Sequence, residues 1–149
     1  MKVDDLIDEV IYVTADKYKY CIILMLRCLK LISDECPKVA SQSMKVANDF
    51  WVKAAVNSEM LDSARVECWN FLDANSASTN IEQREFCAVR AVICVLYPEP
   101  FSDDNGELLD WFFKMLLNIV QDNEKLIEDS LDILESMKSD IKLGKIQIT

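Results

Sequence analysis

Carboxylates are the side chains in this sequence that could do chemistry. The 149 residues include 26 Asp and Glu against 16 Lys and Arg, and no histidine. Without an imidazole, the commonest general base and metal ligand is missing, so acid–base or metal chemistry would fall to paired carboxylates. The nearest approach to such a group is SDDNGE at Ser102–Glu107. It is too short, and wrongly spaced, for oxygens to converge on a calcium ion. Cys21, Cys28, Cys36, Cys68, Cys87 and Cys94 contain no C-x-x-C pair, so the zinc and thioredoxin-like patterns have nothing to hold. No glycine-rich phosphate loop and no G-x-S-x-G elbow occurs. These residues predict a protein that is not an enzyme, with no catalytic residue, no metal and no cofactor.

Carboxylates can also attract, without any chemistry. The formal net charge is −10, and residues 98–140 carry 12 acids against 3 lysines. Nucleic acid and anionic membranes are poor partners for such a surface, and a basic protein is a better one. The candidate contact residues are Asp103, Asp104 and Asp110, then Glu124, Glu128, Asp132 and Glu135, with Trp111 or Phe113 as an apolar anchor beside them. A solvated helix face is the plainer reading of any one such row. The concentration of like charge, which strains a fold by self-repulsion, favours capture of a basic partner.

Arg65, Arg84 and Arg90 could clamp an anion. Asp62, Glu67, Asp73 and Glu85 lie close by in sequence and favour a structural role instead. Of the local pairs, Asp62–Arg65 has facing helical spacing. Arg65 is also one turn from Trp69, so its guanidinium is expected over that indole. Arg90 is the only charge between Phe86 and Tyr97. It must leave the core or find a carboxylate, because a buried unpaired charge is costly.

The cysteine spacing predicts thiols. Cys21/Cys28 and Cys87/Cys94 are each seven apart, two turns along one helical face, where a disulfide cannot close. Reduced, buried cysteines are expected of a cytoplasmic protein. The acidic first nine residues do not read as a secretion signal. A clean apolar run such as Cys21 to Leu26 falls far short of the ~20 residues of a membrane span.

The elements that position these groups read as helices, because two glycines and three prolines are too few for sheets and tight turns. The expectation is a single all-α domain over residues 1–149, six or seven helices with two of them central, and a short tail at 143–149. The first central helix is Arg84–Tyr97, REFCAVRAVICVLY, with Phe86, Val89, Ile93 and Leu96 at helical spacing and Pro98 as its stop. The second is capped by Asp16, runs to about Ser33 and packs against the first; Tyr18 and Tyr20 are expected to carry their hydroxyls to the surface. Around them fall helices at Val3–Thr14, from Pro37 to about Val56, and from a Ser58 cap to about Asp73. Thr79 or Asn80 is a cap for the Arg84 helix. Asp104 and Glu107 have capping-box spacing for a helix reaching about Gln121. That helix holds ten large apolar residues, too many for one face, so it is buried on two sides or presents a patch to a partner. A last helix, Asn123 to about Leu143, ends at Gly144.

Two stretches, Arg65–Asp73 (RVECWNFLD) and Arg90–Leu96 (RAVICVL), resemble segments of immunity proteins from bacterial polymorphic toxin systems, including contact-dependent growth inhibition. They span about a tenth of the chain. The resemblance implies an all-α cytoplasmic antidote that binds the C-terminal toxin domain of a cognate protein and occludes its active site. Many such toxins are nucleases with basic clefts, which suits the acidic half of this chain. The alternative expectation is a helical adaptor that acts by homodimerising through the apolar sixth helix.

Overall fold

A computed structural model describes residues 1–100 and 104–146. Within them the chain is all helical: α1 (Val3–Thr14), α2 (Tyr18–Cys28), a 3₁₀ segment (Leu29–Glu35), α3 (Lys38–Trp51), α4 (Ser58–Ala74), α5 (Arg84–Ile93), α6 (Asn105–Val120) and α7 (Asn123–Lys142). Together they form a helical bundle, with no strand among the described residues.

Local chemistry sets most of the boundaries. Asp5 accepts from the Lys2 backbone N–H at 2.9 Å and opens α1, where acids suit the positive end of the helix dipole. Ala15 and Asp16 then turn the chain through left-handed φ values of 51° and 52°. Asp16 is therefore part of the reversal, and the N-cap of α2 is Lys17, without a side-chain bond. Pro37 stands at the N-cap of α3 rather than inside its first turn. Asn57, not Ser58, caps α4, its Oδ1 accepting from Met60 N–H at 3.1 Å. Asn80 caps the turn before α5, accepting from the N–H groups of Glu82 and Gln83. Asp104 and Asp122 cap α6 and α7. Gly144, at φ 71°, ends the last helix.

The buried centre is the stretch Phe86–Leu96, eleven consecutive residues each largely removed from solvent. α5 itself stops at Ile93, and the chain tightens into i→i−3 bonds from Cys94, Val95 and Leu96, a common way for a helix to close. α3, α4, α6 and the 3₁₀ segment surround it. α2 is the second central helix, buried at Tyr20–Leu26 and Cys28. It packs mainly on α3, α6 and α7 rather than on α5. The direct pairing of the two central helices expected from sequence is replaced by shared neighbours.

The end of the buried stretch is held by three side chains. The Trp51 indole N–H donates to Val95 O at 2.8 Å. Arg65 Nη1 donates to Leu96 O at 2.9 Å. The Tyr18 hydroxyl, turned inward rather than to the surface, donates to Tyr97 O at 2.7 Å. These three consecutive carbonyls lie at the helix C-terminus, where intrahelical donors run out. α3, α4 and α2 supply the donors instead.

The apolar surplus of α6 is also internal. Leu108, Leu109, Phe112, Phe113, Met115, Leu116 and Ile119 are buried between α5 on one side and α1, α2 and α7 on the others. Asn105 fastens its first turn, donating to Asp16 O at 2.9 Å. Asn118 fastens its last, donating to Ile81 O at 2.8 Å.

Trp51→Phe keeps most of the ring volume and strands the Val95 carbonyl in the interior. Urea unfolding is expected to show a loss of about 2 kcal/mol, the size of a buried acceptor left without its donor. A change near zero would mean that water takes the place of the indole.

Candidate functional site

The acidic candidates divide into two groups. Glu124, Glu128, Asp132 and Glu135 are all exposed on α7. At 3.6 residues per turn their directions fall within about 80° of arc, so they form one stripe. Among the described residues none of the four is ion-paired, whereas their neighbour Asp129 pairs with Lys125 at 3.2 Å and Asp140 with Arg27 at 2.8 Å. The inner face of α7, with Leu126, Ile127, Ser130, Leu134 and Met137, is buried against α1, α2 and α6. The stripe therefore sits on a fixed support.

The second group surrounds the start of α6. Asp103 lies outside the described residues. Asp104 is exposed, but its Oδ1 accepts from Gly106 N–H at 2.7 Å and caps the helix. A Cβ at position 106 would lie 3.0 Å from that oxygen, so glycine there leaves room for the cap. Asp110 and Trp111 are exposed one and a half turns further on, with the Lys114 ammonium 5.6 Å from the indole centroid. Phe113 is fully buried and cannot serve as a surface anchor; that position falls to Trp111, 38% exposed.

The arginines are arranged differently from the local reading. Arg65 does pair with Asp62, at 3.0 Å, but its guanidinium lies over Tyr97, 4.8 Å from the ring centroid, not over Trp69. Trp69 instead receives Arg90, at 5.4 Å. Arg90 thus takes the ring expected of Arg65, and Arg65 takes Tyr97. Arg84 pairs with Glu35 at 3.4 Å on the surface.

Arg90 is the only charged side chain among the described residues that is buried, at 6% exposure. Among the described residues it has no carboxylate partner. Nη2 makes one long contact to Ala77 O at 3.5 Å, and Nε has no acceptor. Burial holds its pKa below the ordinary value, offset in part by the neighbouring thiols Cys87 and Cys94. Arg90 lines a cavity of about 460 Å³, together with Trp69, Ile93, Cys94, Tyr97, Glu107, Leu108, Asp110 and Trp111. Arg90, Ile93, Cys94 and Leu108 are buried and form its inner part. Glu107, Asp110 and Trp111 are exposed and form its mouth. Four residues singled out from sequence for separate reasons, Trp69, Arg90, Asp110 and Trp111, meet here. Tyr97, Glu107 and Leu108 were missed, since nothing in their local spacing marks a shared wall.

A larger hollow, about 570 Å³, lies between α2 and α3 and is lined by Lys19, Arg27, Lys30 and Lys145 over Ile23, Leu26, Met44 and Trp51. Its rim is basic. Arg27 is already paired with Asp140, and Lys30 and Lys145 are exposed.

All six cysteines are free, five of them buried. Burial pushes the Cys28 and Cys94 thiols up to about 12 and Cys36 to about 11, and raises Cys21, Cys68 and Cys87 as well. Nucleophilic thiolate is suppressed accordingly. Among the described residues no cluster of three His, Cys, Asp or Glu side chains could hold a metal ion, and no helix is long and apolar enough to cross a membrane.

Two expectations follow. In the unfolded chain the thiols ionise near their ordinary value of 9.0, while the folded chain keeps them neutral. Their stabilisation is therefore complete below about pH 9 and is lost as pH rises towards the folded values, by about 1.4 kcal/mol per pH unit for each fully buried thiol. Urea midpoints are expected to fall steeply from about pH 8 to about pH 10, and a flat profile would show the thiols titrating alike in the folded and unfolded chain. Arg90→Met fills the same space without the charge. Its urea midpoint is expected to be unchanged or higher, because a buried ion without a salt-bridge partner gains little from the fold. A loss above about 2 kcal/mol would make the guanidinium a net support of the core.

No protein-family model, curated protein or solved structure matches this chain.

Proposed function

We propose that this chain is an inhibitory binding protein, an immunity protein that neutralises the basic toxin domain of a cognate protein by covering its active site. The observation that carries the reading is the α7 stripe. Glu124, Glu128, Asp132 and Glu135 are exposed, without ion pairs among the described residues, and mounted on a helix whose other face is packed into the core. A row of like charges held in place raises the encounter rate with a basic surface and rejects acidic ones. Asp110 adds charge on α6, and Trp111 is a large exposed aromatic of the kind that anchors interfaces. Asp104 contributes its charge while its carboxylate is engaged in capping. The resemblance of Arg65–Asp73 and Arg90–Leu96 to immunity proteins supports the same reading, with a nuclease as the basic target and the cytoplasm as the place of action.

The alternative, a helical adaptor that homodimerises, drew on the surplus apolar face of α6. That face is occupied within the bundle, and Trp111 is the large hydrophobic of α6 that stays exposed. A tight homodimer in sedimentation would bring this alternative forward.

The test is co-expression with a toxin domain encoded beside the gene. The chain is expected to relieve growth arrest and to form a complex with that domain. Glu128→Lys with Asp132→Lys should slow association by about tenfold or more at low salt, and the difference should shrink as salt screens the stripe. Association kinetics indifferent to both changes would move the contact to another surface. Growth arrest unrelieved by the unaltered chain would overturn the function itself.

A further inference from the structure

The Arg90 cavity has a chemistry of its own, apart from the α7 stripe. Its inner end holds a cation without a counter-ion among the described residues: 6% exposed, one long bond to a carbonyl, and an Nε with no acceptor there. Inside a protein such a group is held at a penalty unless an anion meets it. A guanidinium presents a planar fork that matches a carboxylate better than a spherical ion.

The walls add a second requirement. Trp69, Tyr97 and Trp111 come from three different parts of the fold and give the cavity aromatic sides. Surfaces of this kind take a flat apolar body, and about 460 Å³ is within the range of small-molecule sites. The mouth adds a third. Glu107 and Asp110 line it and are exposed, so a ligand with two negative charges is disfavoured on the way in, while a single charge reaching Arg90 is balanced there.

We propose that this cavity is a binding site for a monoanionic aryl carboxylate, with its carboxylate on the Arg90 guanidinium and its ring among Trp69, Tyr97 and Trp111. The carboxylate belongs either to a free aromatic acid or to the C-terminal aromatic residue of a peptide, which present the same chemistry to the site. The proposal does not depend on the inhibitory function proposed above, and neither stands or falls with the other.

Phenylacetate is the probe, titrated against the full chain and followed by tryptophan fluorescence and thermal unfolding. A saturable change in emission and a rise in Tm are expected. Phenylacetamide, which keeps the shape without the charge, and phenyl phosphate, which carries more charge, should each bind at least about tenfold more weakly. Arg90→Met should lose phenylacetate binding by at least about tenfold. Should that variant fail to fold, the surface changes Glu107→Gln with Asp110→Asn decide the matter: they leave the core alone and should tighten phenylacetate and narrow the gap to phenyl phosphate. A short peptide ending in Phe with a free carboxylate separates the two sources. Tighter binding than phenylacetate identifies a chain terminus, weaker binding the free acid. The proposal is overturned by the absence of a saturable response, by equal binding of the amide, or by phenylacetate affinity that neither set of variants alters.

Discussion

The structure depends on how a segment buried on every side satisfies the polar groups at its end. From Phe86 to Leu96 the chain has no solvent to turn to, and its final carbonyls have no helical N–H ahead of them. Buried unpaired carbonyls would each forfeit about 1–3 kcal/mol, a large part of the stability of a domain this size. Trp51, Arg65 and Tyr18 answer Val95, Leu96 and Tyr97 in turn. Each donor arrives on a different helix, so the same three bonds that complete α5 also fix α2, α3 and α4 around it. Tyr18 and Trp51 meet edge to face at 5.8 Å, so two of the donors brace each other. Three helices are thus tied to one C-terminus.

How much of this was legible in the sequence varies with the range of the interaction. Signals confined to a few residues were read well: α1 at Val3–Thr14, the Asp104 cap, the Gly144 stop, the Asp62–Arg65 pair, and the buried run of α5. Periodicity also separated the wet and dry faces of α7. What failed involved partners distant along the chain. Tyr18 and Tyr97 are 79 residues apart, and no periodic pattern shows that an exposed-looking tyrosine at a helix start will turn inward to meet a carbonyl. The same holds for Arg65. Its spacing to Trp69 was correct for a facing pair, yet Tyr97 lies where the guanidinium can also reach Leu96 O, and a charge-assisted hydrogen bond outweighs stacking alone. Trp69 was left open for Arg90. One local rule was overridden by one long-range bond.

The charged surface shows a similar limit. Counting acids located the negative region but could not separate carboxylates that are free to attract from those already engaged. Asp104 caps a helix, Asp129 and Asp140 are paired, and Glu124, Glu128, Asp132 and Glu135 remain. Nor did the count reveal that Lys19, Arg27, Lys30 and Lys145 gather around one hollow, because they come from α2, its 3₁₀ extension and the C-terminal tail.

Arg90 is where local and global consistency part company. A methionine or leucine at that position would continue the apolar run, satisfy the helix pattern and remove an unpaired charge, so folding alone gives no reason for arginine. The surroundings are nevertheless built to keep a cation there. The Trp69 face is turned to it at 5.4 Å, and the Ala77 carbonyl of the preceding loop is directed at Nη2. Departures of this sort from the consistent solution collect at sites that do something other than hold the fold together. A cation steadied by aromatic faces and one weak bond, beside an open volume, keeps most of its hydrogen-bonding capacity in reserve. Among the described residues that line the cavity, Glu107 and Asp110 are the acids, and both are exposed while Arg90 is buried. This separation of charge is what the proposed carboxylate site rests on.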